Sequence, residues 1–335
     1  MDEPAGAPLA TVVVLTFNGA RHLRRVLEAV VAQRLDEPFE TLVLDSGSTD
    51  QTLRIIAQFP GVRLHEIPNS RFQHGATRNL AARLAAGTYV VYLTQDAIPI
   101  GDRWLHEMLE PMRRIPEVKA VVGRQEPRAG CFPLLKREIR AVFSAQGSAD
   151  GVTIYCGTDR VISTGMDVPS FYSDVNSATE RALLLGPIPY REVEYAEDQL
   201  FGKDVLQAGF AKAYAGRGAV EHSNDLTRSE LAKRTFDETI GVRHIGFEVP
   251  ALSAAQTSRL VLRDIVHGFV DTVRDRDYSP LRKVYWIVFN PVFVITKWQA
   301  VRRSAAVALS DLERVRSRSL ESSRRAAHRD SHESG

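Results

Sequence analysis

The chain has only two cysteines, Cys131 and Cys156, in 335 residues. That excludes a disulfide framework or a metal–thiolate cluster and makes a reducing cytoplasmic compartment the expected one. Charge of one sign is also scarce, since 43 Lys and Arg against 41 Asp and Glu leave a formal net charge of +2. A dedicated nucleic-acid binder needs a surplus of cations to displace counterions from phosphates, so no nucleic-acid partner is expected. Long apolar runs are missing as well. The opening MDEPAGAPLA is acidic and Pro-rich, unlike a secretory signal. The most apolar late stretch, VYWIVFNPVFVITKW (284–298), is interrupted by Asn290 and Pro291 and is shorter than the ~20 residues of a spanning helix. Nor does the first apolar strand lead into G-x-G-x-x-G. It runs into FNGARH, which argues against a nicotinamide-dependent oxidoreductase.

What is present has the balance of a folded globular chain, 44% hydrophobic and 25% charged. Four segments read as strands that close on polar residues: TVVVLTFN (11–18), ETLVLDSGSTD (40–50), VRLHEI (62–67) and TYVVYLTQD (88–96). Near-continuous apolar runs of this kind suit parallel strands covered on both faces. Helical periodicity lies between them, as in ARHLRRVLEAVVAQ, TDQTLRIIAQF and HGATRNLAARLAAG. Alternating strands and helices predict an α/β fold with a mostly parallel sheet, whose ligands lie outside the carboxyl ends of the strands. Further helices are expected at 197–209, 228–248 and 255–275, and a charged, fraying tail from about 302.

The polar residues at those strand ends are the first site candidates: Thr16 and Asn18, then Asp45, Ser46 and Ser48, then Gln95 and Asp96. Any one of them is well explained as a turn or capping residue, but three sets at one sheet edge suggest a binding rim. HGATRN offers Gly75 for close backbone approach, a helix start with free amides, and Arg78 in the first turn, a combination suited to a diphosphate. A strand-end carboxylate such as Asp96 could share Mg²⁺ or Mn²⁺ with that diphosphate. Glu197 and Asp198 open a helix, where acidic residues favour the positive dipole end, and Asp198 could equally serve as a general base. His222, in AVEHSND, ends an apolar segment as a surface histidine or a metal ligand.

Taken in order, these residues resemble the family 2 glycosyltransferases of the GT-A fold over roughly residues 10–250. VVVLTFNG and DSGSTD resemble its first two strands, and HGATRNLAARLAAGTYVVYLTQDAIP the segment leading to its metal-binding DXD. FYSDVNSATERALL, YAEDQLFGKDVLQAGF and VEHS resemble the rhamnosyltransferase-like branch. The resemblance implies inverting transfer of a sugar, rhamnose from dTDP-rhamnose first among the candidates, from a dTDP- or UDP-sugar to a glycan or lipid-linked acceptor. It implies that Asp45 meets the pyrimidine, Thr16 and Asn18 the nucleoside, with Ser46, Gly75, Gln95 and Glu197 among the substrate contacts. Arg78 would lie near the diphosphate, Asp96 would bind a Mg²⁺ or Mn²⁺ ion or the ribose, His222 would be a further contact to the metal, and Asp198 would deprotonate the acceptor. Two departures stand out: the metal motif is QDA, and Asn224 replaces the last histidine of the branch's HSH. A binding subunit that keeps the fold is the competing reading.

The implied organisation is a tail (1–9), a GT-A domain (10–230) with a nucleotide-sugar half to about 125 and an acceptor half beyond, a helical extension (231–301) and a charged tail (302–335). Basic residues flank the aromatics and aliphatics of 281–303. That pattern leaves two partners open, the inner membrane face or protein, whether the catalytic domain or a second copy of the chain.

Overall fold

The computed structural model describes residues 7–157, 168–193, 196–244, 246 and 248–308. The chain forms two compact units, residues 1–126 with 139–222, and 127–138 with 223–335. Residues 127–138 thus group with the C-terminal helices. The reason is apolar: Cys131, Phe132 and Leu134 pack with Leu231, Tyr278, Trp286 and Val294, so a segment from mid-chain belongs to the C-terminal core.

The first unit is built on a nine-stranded sheet. Strands β1 (Ala10–Thr16), β2 (Phe39–Asp45), β3 (Val62–Glu66) and β4 (Tyr89–Thr94) are the four expected from sequence. They run parallel, with β1 between β2 and β4 and β3 outside β2. Beyond β4 the sheet is mixed. β8 (Asn176–Glu180) is antiparallel to both β4 and β6 (Val118–Glu126), and β9 (Ala211–Glu221) lies parallel to β6. Short β5 (Ile98–Pro99) and β7 (Val152–Cys156) pair antiparallel with β9.

Alternation along the inner strands explains their unbroken apolar character. Val12, Val14, Val43, Val91 and Leu93 point into one core. There they meet α1 (Leu23–Val31), α2 (Thr52–Ile56) and α4 (Trp104–Arg114). Val13, Leu42, Leu44, Val90 and Tyr92 point into the other. There they meet α3 (His74–Leu84), α6 (Arg181–Leu185), α7 (Glu197–Gln207) and Phe143 of α5 (Pro133–Gln146). Each strand thus needs apolar side chains on both faces, as buried parallel strands do.

The second unit is helical: α8 (Arg228–His244), α9 (Ala254–Arg274) and α10 (Pro280–Ala305). Ser253 caps α9 in a reciprocal box with Gln256, and Ser279 caps α10 ahead of Pro280 at the first helical position. Inside this unit Lys136 is buried against Asp275 at 2.9 Å. No helix among the described residues is long and apolar enough to cross a membrane. The tail expected from 302 lies outside the described residues from 309 on.

Candidate active site

The register of β1 against β2 and β4 pairs Thr16 with Asp45 and Leu15 with Thr94, so three strand ends stop side by side. Their polar side chains are brought together and largely satisfy one another. Asp45 is fully buried; its Oδ2 accepts from Thr16 Oγ1 at 2.7 Å and Ser48 Oγ at 2.6 Å, and its Oδ1 from the amides of Gly47 and Ser48. Ser46 Oγ donates to the Thr16 carbonyl. Asn18, at a positive φ of 48°, accepts on its Oδ1 from the Thr49 amide. Gln95 clamps the chain after β1, accepting from the Phe17 amide and donating to the Phe17 carbonyl. A Cβ on Gly19 would meet Gln95 Oε1 at 2.2 Å, so this clamp requires glycine. Thr16, Asn18, Asp45, Ser46 and Gln95, expected as contacts for the nucleotide, bond to one another and to nearby backbone and so shape the rim.

The start of α3, expected to face the diphosphate, carries a side-chain cap. Gln73 caps the helix by accepting from the Ala76 amide at 2.6 Å, and its own amide donates to the Val193 carbonyl. A Cβ on Gly75 would stand 2.3 Å from the Arg191 carbonyl oxygen. The close approach of the 190–193 segment therefore requires glycine there.

Arg78, expected near the diphosphate, is held among carboxylates. It is 6% exposed, and its guanidinium contacts Asp174 at 2.9 Å through Nε and Glu197 through Nη1. Glu197 is accordingly a buried ion-pair partner of Arg78. Asp174 accepts from Tyr190 Oη and Ser177 Oγ, each at 2.7 Å, and Tyr92 Oη donates to the Arg78 carbonyl at 2.8 Å. One arginine thus faces a group of carboxylates under the head of α7. Burial raises the Asp174 carboxyl against the pull of Arg78. Burial is outweighed at Glu197, where Arg78 and His74 hold the carboxyl below its ordinary value.

Asp198 is the next residue on α7 and keeps some solvent contact. Burial, then the Glu197 and Asp174 charges, push its carboxyl up to about 8. The Gln199 amide donates to its Oδ1 at 2.8 Å. A carboxyl poised in this range can take a proton from a hydroxyl and release it to neutral water.

A second pair forms where β4 and β9 end. His222 Nε2 lies 3.4 Å from Asp96 Oδ2. The other ring nitrogen, Nδ1, is 3.0 Å from Gln125 Oε1, and Gln125 Nε2 donates to Ser173 Oγ. With the amide oxygen accepting from Nδ1–H, the Nε2 lone pair faces the Asp96 carboxylate. Two acceptors so placed fit a divalent cation between them, with phosphate and water completing its coordination. No group of three or more His, Cys, Asp or Glu among the described residues could hold a metal on its own. Substrate oxygens would therefore have to supply the rest.

Asp174, Tyr190 and Gln125 were not singled out from sequence. The visible signal for Asp174 is FYSDVNS, an acidic residue just ahead of a strand, but its partner lies 96 positions away in Arg78. Only the antiparallel register of β8 on β4, with Asn176 opposite Leu93, brings them together.

Residues 11–163 match the family Glycosyl transferase family 2. An O-antigen chain rhamnosyltransferase, RfbN of Salmonella typhimurium, is 30% identical over 70% of this chain and 72% of its own length. The chain belongs to glycosyl transferase family 2. It is a glycosyltransferase that moves a sugar from a nucleotide donor. A second relative, the O-antigen chain rhamnosyltransferase WbaN of Salmonella anatum, is 29% identical over 71% of this chain and 72% of its own. A mannosyltransferase from Pyrobaculum calidifontis, solved with GDP-Man and Mn²⁺, shares the GT-A fold with a TM-score of 0.56. It is 18% identical and the match covers 92% of this glycosyltransferase and 88% of that chain.

Proposed function

We propose that this glycosyltransferase is an inverting rhamnosyltransferase acting on a growing glycan, with dTDP-rhamnose as donor and Asp198 as the base. The sugar is carried by one observation: its 30% and 29% identity to two O-antigen chain rhamnosyltransferases, each over 72% of the relative. The chemistry is supported by the geometry of α7 and of the β4–β9 edge.

In the reaction Asp198 accepts the acceptor hydroxyl's proton as that oxygen bonds to the anomeric carbon. The bond from that carbon to the diphosphate oxygen breaks, and the nucleoside diphosphate leaves with the electron pair. Direct attack from the opposite face inverts the anomeric centre. Asp96 and His222 are the residues that would hold Mg²⁺ or Mn²⁺, and such an ion neutralises charge developing on the leaving phosphate. Mn²⁺ suits the imidazole better than Mg²⁺ does. The rim built by Thr16, Asn18, Asp45, Ser46 and Gln95 positions the loops over which the nucleotide lies. Arg78 and Glu197 do not touch the donor in this scheme; they set the charge around Asp198.

The test is turnover with a panel of dTDP-, UDP- and GDP-sugars and a glycan acceptor, with the product's anomeric configuration read by NMR. An inverted rhamnoside formed from dTDP-rhamnose, and abolished in Asp198→Asn, is the expected result. Transfer of a different sugar with inversion would correct the donor alone. A retained configuration would remove Asp198 from the role of base, and binding of a donor without turnover would favour a binding subunit.

A further inference from the structure

The helical unit carries an apolar face that its own core does not use. On α10 the inward residues Trp286, Asn290 and Val294 are buried. Trp286 and Val294 pack with Phe132, Leu134 and Tyr278, while Asn290 Oδ1 accepts from the Leu134 amide. The opposite side presents Leu281, Val284, Val288, Val292 and Ile295, from 37% to 86% exposed. Their spacing of three or four residues makes one stripe about 21 Å long at 1.5 Å per residue. On α9, Leu262, Val266, Phe269 and Val273 form a second exposed stripe at the same spacing. Monomeric proteins rarely expose this many large apolar residues at helical spacing without a partner.

Charge narrows the choice of partner. Between Pro280 and Ala305 the helix has Arg282, Lys283, Lys297, Arg302 and Arg303 and no Asp or Glu. Lys297 is taken by Glu138 and Lys283 by the Val273 carbonyl. Arg302 and Arg303 are exposed at the end of the apolar stripe, and Arg282, which donates to the Gly130 carbonyl and lies over the Tyr285 and Trp286 rings, is exposed at its start. A symmetric pairing of α10 with a second copy would bring cations toward cations with no carboxylate on the helix to answer them. An apolar stripe with basic residues at both ends matches a helix lying in the interface of an anionic bilayer. The helix is also not apolar enough to pass through one.

We infer that the exposed face of α10, with α9 beside it, docks this enzyme on an anionic lipid surface. Such docking would place the enzyme where a lipid-linked glycan is presented; only that purpose rests on the acceptor reading above, since the docking follows from the face itself.

The test is co-sedimentation of the full chain with vesicles of phosphatidylcholine alone and of phosphatidylcholine with about 30% phosphatidylglycerol. The variants are Val288→Asp/Val292→Asp and Arg302→Glu/Arg303→Glu, each checked for an unchanged thermal melt. Binding to the anionic vesicles is expected to exceed binding to the neutral ones by about tenfold or more, to weaken with salt, and to fall at least about tenfold in each variant. Turnover on a soluble acceptor should be unchanged in the variants, which separates this inference from the catalytic reading. Absence of vesicle binding, equal binding to both compositions, or undiminished binding by the folded variants would overturn it. A wild-type dimer that Val288→Asp/Val292→Asp dissociates, without vesicle binding, would assign the face to a second copy instead.

Discussion

Replacing Glu197 by Gln removes one negative charge from beside Asp198, the proposed base, while keeping a side chain that can still accept from Arg78. Three carboxylates, Asp174, Glu197 and Asp198, surround one guanidinium, so the fully ionised group carries a net charge of −2 and the variant −1. The Glu197 charge follows burial as a cause of the raised Asp198 carboxyl. A like charge at about 6 Å and an effective dielectric of about 20 is worth about 3 kcal/mol, or about two pKa units. Because the base must be deprotonated, wild-type kcat/KM is expected to rise with pH through an ionisation near 8. In Glu197→Gln that ascending limb should move down by about one to two pH units. The assay is a pH profile of kcat/KM at saturating metal, with thermal melts to confirm that the variant is folded. An ascending limb that stays in place, or moves up, would refute the electrostatic link between Glu197 and Asp198.

Asp198→Asn should lower kcat by about 10²–10⁴-fold with little change in donor affinity. The raised folded-state carboxyl favours folding at low pH, and that contribution is lost as pH rises from the ordinary carboxylate range through about 8. Thermal melts of Asp198→Asn should therefore exceed wild type increasingly across that window and match it near pH 4. Arg78→Met leaves Asp174 and Glu197 buried without their cation and should cost about 3–5 kcal/mol in chemical denaturation, whereas a phosphate-binding arginine would have raised KM and left stability alone. Gly75→Ala drives a methyl group into the Arg191 carbonyl and should lower the melting temperature without a pH-dependent effect on activity. Gln125→Leu withdraws the acceptor that holds the His222 Nδ1–H; bound Mn²⁺ in the donor complex, read by electron paramagnetic resonance, should weaken by about 10–100-fold.

Much of the fold was legible because it follows from local rules. The apolar runs ending at Thr16, Asp45 and Thr94 define three parallel strands, and the periodic stripe Leu23, Val26, Leu27, Val30 defines the helix that covers them. Placing His222 near Asp96 needed more than periodicity, since their strands, β4 and β9, are more than 100 residues apart in sequence and have β8 and β6 between them in the sheet. Their residue types suggested the pairing, and the structure places them 3.4 Å apart. Arg78 shows what a local pattern leaves out. An arginine in the first turn of a helix after a glycine reads as an anion ligand, and nothing nearby reveals the two carboxylates that neutralise it. Those arrive from the loop before β8 and the head of α7, contacts of long sequence separation that no local pattern encodes. The strand-end residues illustrate a subtler limit: Asp45 and Gln95 are where a ligand rim requires polar groups, yet whether such groups face outward or bind one another depends on the loops being stitched together. The division into units was hidden for the same reason, because Phe132 and Trp286 meet across more than 150 positions.

The central claim is that this family 2 glycosyltransferase binds a nucleotide sugar at the β4–β9 edge through a cation shared by Asp96 and His222. Calorimetric titration of a nucleotide-sugar panel, with Mn²⁺, with Mg²⁺ and with chelator, tests it most directly when run on wild type and Asp96→Ala. One donor, dTDP-rhamnose on this account, should bind tightly only with metal, and Asp96→Ala should lose that metal-dependent affinity. Equal binding with chelator, or unchanged metal-dependent binding in Asp96→Ala, would contradict it.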